Sequence, residues 1–136
     1  MKKVLYVDDS EEMLEIVQII LAKSGYQILT ASSGKAAVEV CSKEQPDLVL
    51  MDINMPDLDG FASIQLLRSS GYINPVIMLT ASENEEDRAK AKSIGCVDYI
   101  LKTLDMRDVE SVIDRYIANA NANANANADT GGGTLE

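Results

Sequence analysis

Five residues that can do chemistry stand at the ends of short apolar runs in this 136-residue sequence. Asp8 and Asp9 follow "KVLYV", Asp52 ends "DLVLMD", Thr80 closes the apolar part of "NPVIMLTA", and Lys102 ends "VDYILK". Three clustered carboxylates repel one another, so at neutral pH they need protons or a cation. The chain has no histidine and only two cysteines, Cys41 and Cys96, without CxxC spacing. The ligands on offer are therefore oxygens, which favour Mg²⁺ over zinc or copper. Mg²⁺ readily shares its coordination shell with a phosphoryl oxygen. A lysine can balance the remaining charge, and a carboxylate can serve as a nucleophile and form an acyl phosphate. Phosphoryl transfer asks mainly for positioning and charge neutralisation. The absence of histidine removes Ser–His and Cys–His catalysis and any phosphohistidine within the chain.

The elements that must hold these residues are legible from pattern. "KVLYV" reads as a buried strand. "SEEMLEIVQIILAKSG" reads as a helix with Ser10 as N-cap, acidic Glu11 and Glu12 at its positive end, and Gly25 in a left-handed position at its close. Met13, Ile16, Val17, Ile20 and Leu21 give that helix one apolar face. "YQILTA" is a second strand, and Ser33 opens a helix that Pro46 stops. "DLVLMD" is the third strand, followed by a helix from Asp59 or Gly60 to Gly71. "NPVIMLTA" is the fourth strand. Ser82 and Glu85 form a capping box for a polar helix to about Ser93. "VDYILK" is the fifth strand, and "LDMRDVESVIDRYIA" is a last amphipathic helix with Met106, Val109, Val112, Ile113 and Tyr116 on one side.

Short apolar strands alternating with helices predict an α/β three-layer sandwich, a five-stranded parallel sheet with five helices on its two faces. In open parallel sheets, ligands bind beyond the carboxyl ends of the strands. Asp8, Asp9, Asp52, Thr80 and Lys102 all fall there. Asp47, Asp57, Asp59 and Asp98 read instead as turn or cap carboxylates.

Composition bounds the function. Apolar residues make up 46% and charged residues 25%, as in an ordinary globular domain with a core. The net charge of -10 argues against direct nucleic-acid binding, which rewards Lys and Arg. The start, "MKKVLYVDDS", imitates a signal peptide, but its apolar run is too short and ends in two aspartates. No stretch is apolar and long enough to span a bilayer, so the chain is expected to be cytoplasmic with no membrane partner. Both cysteines read as reduced thiols. After Ala118 the low-complexity "NANANANADTGGGTLE" carries no apolar periodicity. The expected organisation is one domain over 1–118 and a disordered tail over 119–136, a natural linker or a cloning remnant.

"VLYVDDS", "DLVLMDINMPDLDG", "PVIMLTA" and "VDYILK" together resemble the response-regulator receiver domain of two-component signalling, a flavodoxin-like or CheY-like fold, over about residues 2–118. The resemblance, rather than spacing, implies the strand order 2-1-3-4-5. It implies that Asp52 accepts a phosphoryl group from the phosphohistidine of a sensor histidine kinase or histidine phosphotransfer protein. It implies that Asp9, Asp52 and the backbone carbonyl of Asn54 hold Mg²⁺, with Asp8 acting mostly through water. Thr80, Ala81, Tyr99 and Lys102 become the phosphoryl-contact and switch residues: Thr80 moves inward and Tyr99 follows. The surface of the fourth helix, fifth strand and fifth helix then signals to an output protein or domain. Met55-Pro56 and Gly60 match the family's turn after the acceptor.

One step departs from the family pattern, which has Lys-Pro with a cis bond after the fifth strand. Here Lys102 precedes Thr103, and a cis bond before a non-proline costs about 2.5–4 kcal/mol. A trans bond is expected, with Lys102 still directed at the site by its strand. Two other classes fit the residues less well. An unphosphorylated interaction module of the same fold would typically have lost an acidic or lysine position. An aspartyl phosphatase would place Asp-x-Asp after the first strand and carry a cap domain.

Overall fold

Apolar runs and helical stripes settle into an alternating α/β chain. The computed structural model describes residues 2–53, 60–80, 85–96, 98–101 and 110–117. Its elements are β1 (Lys3–Val7), α1 (Glu11–Ala22), β2 (Gln27–Ala31), α2 (Gly34–Glu44), β3 (Leu48–Asp52), α3 (Gly60–Ser69), β4 (Val76–Thr80), α4 (Glu85–Ser93) and β5 (Asp98–Leu101). A last helix, α5, covers residues 110–117.

The strands form one parallel sheet in the order β2-β1-β3-β4-β5. β1 and β3 lie inside it, and their residues are almost all buried, which is why they read as unbroken apolar runs. Alternation along the strands divides the core in two. Leu5, Val7, Val49, Met51 and Met78 pack with Ala37, Cys41, Phe61, Ile64, Leu67 and Ala91, under α2, α3 and α4. Val4, Tyr6, Leu48, Leu50, Ile77 and Leu79 pack with Val17, Leu21, Ile113 and Ile117, under α1 and α5. Fully burying each such aliphatic side chain contributes roughly 1.5–3 kcal/mol.

Local signals set the helix ends. The Ser10 hydroxyl accepts from the Met13 amide at 3.2 Å, and the Ser33 hydroxyl accepts from the Ala36 amide at 3.1 Å. Each such cap contributes about 1 kcal/mol. Gly25 takes φ +87°, the left-handed turn that leads into β2. α2 stops one residue before Pro46, at a left-handed Gln45 whose amide donates to the Cys41 carbonyl at 3.1 Å. Nothing about a glutamine signals that conformation in sequence.

One acidic residue needs correction, and a second, Asp47, caps as expected but from further away. Asp98, expected in a turn or cap, begins β5 and pairs in register with Ile77. Asp47 does sit before β3, but it also ties two strands together. Its carboxylate accepts from the Lys3 amide at 2.8 Å, so it caps the start of β1. Asp57, Asp59, Ser82, Met106 and Val109 lie outside the described residues. Cys41 is buried and Cys96 partly so, and neither is in a disulfide. Burial pushes both thiols up to about 11, with Arg68 opposing. Among the described residues, no helix is long and apolar enough to cross a membrane.

Candidate functional site

Strand register explains why carboxylates far apart in sequence meet. β1 and β3 run parallel, and their paired positions end at Val7 and Met51. The next residue on each strand is Asp8 on one and Asp52 on the other. Both therefore emerge at the carboxyl edge of the sheet on adjacent strands. Asp9 follows Asp8 as the chain turns toward α1. One carboxylate oxygen from each of Asp8, Asp9 and Asp52 lies within 4.8 Å of the others.

The three differ in environment. Asp8 is 1% exposed and Asp52 is 5% exposed, whereas Asp9 is open to solvent. Two ionised carboxylates this buried and this close repel strongly in a medium less polar than water. One carboxylate oxygen of Asp8 accepts from the Tyr6 hydroxyl at 2.5 Å and the other from the Ser10 amide at 3.0 Å. Its own amide donates to the Ala31 carbonyl at 3.1 Å, carrying the β1–β2 ladder one residue past the strand. Tyr6 lies two residues before Asp8, on the same strand face, fully buried among the α1 and α5 side chains. Burial, and after it the bond to Asp8 and the charges of Asp8, Asp52 and Asp9, push the phenol above its ordinary value. The residue remains a donor at neutral pH.

Asp52 is the last residue of β3, between β1 and β4, and pairs in register with Leu79. The Ile53 amide donates to the Leu79 carbonyl at 3.0 Å, so the ladder with β4 continues one residue beyond Asp52. α3 begins at Gly60, directly against this strand end, and the Gly60 amide donates to the Ile53 carbonyl at 3.0 Å. Thr80 ends β4 beside Leu101, the last residue of β5. Tyr99 lies within β5 and pairs with Met78. The Thr80 and Tyr99 side chains, and all of Asn54, Ala81 and Lys102, lie outside the described residues. The structure thus brings Asp8, Asp9 and Asp52 together and sets the Thr80 backbone on the strand beside Asp52. Tyr6 was missed in the sequence, where it reads as one more buried strand residue; its i, i+2 spacing from Asp8 was the available signal.

The donor set suits a hard cation. Three carboxylates converge with no nitrogen or sulfur among them, which is the chemistry Mg²⁺ prefers. The residues present fit that ion.

The sequence matches the family model described as response regulator receiver domain over residues 4–114. The alkaline phosphatase synthesis transcriptional regulatory protein PhoP of Bacillus subtilis (strain 168) is 37% identical over 110 residues, which is 81% of this chain and 46% of that protein. The probable transcriptional regulator ycf27 of Pyropia yezoensis is 38% identical over 119 residues, 88% of this chain and 49% of that protein. The chain spans about half the length of the curated relatives it matches. Among solved structures, the chemotaxis protein CheY4 of Vibrio cholerae superposes with a TM-score of 0.80 at 30% identity, covering 85% of this chain and 98% of that one. The response regulator TrrA of Thermotoga maritima, solved in complex with Mg²⁺-BeF, gives a TM-score of 0.77 at 26% identity, covering 85% and 99%. The family match runs through every element from β1 into α5, and the chain accordingly belongs to the response regulator receiver domain family of two-component systems.

Proposed function

We propose that this chain is a phosphorylation switch in which Asp52 accepts a phosphoryl group from a sensor histidine kinase or a histidine phosphotransfer protein. The observation that carries this reading is the meeting of Asp8, Asp9 and Asp52 at the carboxyl edge, with Asp52 central between β1 and β4. A carboxylate oxygen of Asp52 bonds to phosphorus as the phosphorus–nitrogen bond of the donor phosphohistidine breaks. The departing imidazole nitrogen keeps the electron pair and takes a proton from solvent. In the reverse direction of signalling, water attacks phosphorus and the Asp–phosphorus bond breaks, which restores the carboxylate and releases inorganic phosphate.

Asp9, Asp52 and the Asn54 carbonyl would hold Mg²⁺, with Asp8 acting through water. When bound, the ion would supply neutralising charge to the carboxylates and the transferring phosphoryl oxygens. Asp52 sits at a strand end that the β1 and β4 ladders fix, so the nucleophile needs little reorganisation. Thr80, Ala81 and Lys102 contact the phosphoryl group, and Tyr99 follows Thr80. The change reaches the surface of α4, β5 and α5, which engages an output protein or domain. The receiver unit comprises residues 1–118. The molecule is a cytoplasmic switch rather than a turnover enzyme on an external substrate.

Incubation with acetyl phosphate and Mg²⁺, followed by intact-mass measurement, tests the assignment. Wild type should gain one phosphoryl adduct, and Asp52→Asn should gain none. Asp57→Asn and Asp59→Asn should label as wild type does. A requirement for either neighbour, or labelling of Asp52→Asn, removes Asp52 as the acceptor.

A further inference from the structure

Asp8 is the most buried carboxylate of the cluster, and its two oxygens are held by different means. The Ser10 amide belongs to the turn into α1 and is available whatever side chains surround it. The Tyr6 hydroxyl, by contrast, is a side-chain contribution. It reaches Asp8 from inside the core that α1 and α5 share, where Val4, Val17, Leu21, Leu50, Ile113 and Ile117 pack. A tyrosine spans the distance between residues i and i+2 on one strand face when its ring leans along the strand. The ring is fully buried and has no room to swing away. The hydroxyl is therefore a fixed donor delivered to the acidic site from below the sheet edge.

We propose that Tyr6 is a positioning residue for the cation site, holding the Asp8 carboxylate in the orientation that lets it join Asp9 and Asp52 around Mg²⁺. This rests on the function proposed above. A carboxylate bonded to an ordered partner meets the ion's bound water with its rotamer already chosen, and loss of such an outer partner typically costs 10–100-fold in metal affinity. Phenylalanine at position 6 would keep the ring and its packing while removing only the donor.

The test is a Mg²⁺ titration of the full chain by calorimetry, together with the Mg²⁺ dependence of labelling by acetyl phosphate. Tyr6→Phe should weaken Mg²⁺ binding roughly tenfold. The Mg²⁺ concentration for half-maximal labelling should rise by about the same factor, while labelling at saturating Mg²⁺ stays within about twofold of wild type, because the nucleophile is untouched. Tyr6→Phe made on an Asp8→Ala background should add little further loss, since the hydroxyl would have no acceptor to position. Thermal unfolding in EDTA establishes that each variant is folded. An unchanged or tighter Mg²⁺ affinity in a folded Tyr6→Phe chain, or full additivity of the two substitutions, overturns the role of Tyr6. Wild type that takes up neither Mg²⁺ nor a phosphoryl group overturns the underlying function as well.

Discussion

Gly60 stands so close to the end of β3 that a Cβ built on it would lie 2.6 Å from the carbonyl oxygen of Asp52. The same atom would lie 2.8 Å from the Ile53 Cα and 3.2 Å from the Met78 sulfur. The first two neighbours are backbone, so neither can rotate aside. Gly60 is thus needed for close approach, and it lets α3 start directly against the end of β3. Gly60→Ala is expected to lower stability by about 1–3 kcal/mol, the usual range for overpacking. Because the displaced backbone belongs to Asp52 and Ile53, labelling by acetyl phosphate should slow in the same variant. A urea midpoint matching that of wild type would show that the strand end yields without cost.

Mg²⁺ should stabilise the native chain by relieving repulsion among Asp8, Asp9 and Asp52. Binding to the native state alone adds about 1.4 kcal/mol at ten times the dissociation constant, so the thermal midpoint should rise modestly with added Mg²⁺. Asp9→Ala removes the exposed ligand without opening a buried cavity. It should abolish most of that rise while leaving the metal-free midpoint unchanged or slightly higher. An equal rise in Asp9→Ala and wild type would mean that the ion binds elsewhere.

The sequence made the elements and the chemistry-bearing strand ends visible because parallel strands buried on both faces are apolar throughout and stop abruptly at polar residues. Asp8 and Asp52 could be read as neighbours only once strands one and three were taken to be adjacent, and that adjacency came with the family resemblance rather than from any spacing. The finer contacts were hidden for physical reasons. Tyr6 looks like any core strand residue, because its ring belongs to the core and only its hydroxyl belongs to the site. Asp47 looks like a turn residue because its partner, the Lys3 amide, is 44 positions away. Asp98 was read as a turn or cap carboxylate although it fell inside "VDYILK", because a carboxylate in the first position of a strand has the same local sequence as one in the preceding turn. Gln45 shows that a left-handed helix end need not be a glycine.

The thiols predict an alkaline instability. In the unfolded chain, a cysteine loses its proton near the ordinary value of 9.0, whereas burial holds Cys41 and Cys96 protonated up to about 11. Between those values the unfolded state binds fewer protons than the native state, so stability falls as pH rises. The contribution is fully present below about pH 9 and is lost through about pH 11. Burial raises the Tyr6 and Tyr72 phenols too, which extends the decline in the same direction at higher pH. Urea midpoints measured at half-unit steps from pH 8 should show the decline. In a Cys41→Ala, Cys96→Ala chain the slope over the thiol window should be shallower, even though the midpoint at pH 8 starts lower from the space left beside Cys41. Parallel curves for the two chains would exclude the thiols as the source.

α5 is fastened to the corner between α1 and β2 by two side-chain hydrogen bonds. The Ser24 hydroxyl donates to Glu110, and the Tyr26 hydroxyl donates to Asp114. Glu110 and Asp114 are four residues apart, so both face the same way on the helix. Ile113 and Ile117 supply the apolar seam beside them. Tyr26→Phe removes one bond and keeps the ring. Taking a net value of about 1 kcal/mol for such a bond, amide hydrogen exchange in residues 112–117 should quicken roughly fivefold. Combining Tyr26→Phe with Ser24→Ala should quicken it further, toward about thirtyfold if the two bonds contribute independently. Amides of β3, on the far side of β1 from that corner, should exchange as before. Uniform quickening throughout the chain would mean that α5 opens only by global unfolding, and the two bonds would then stabilise the fold as a whole rather than the helix alone.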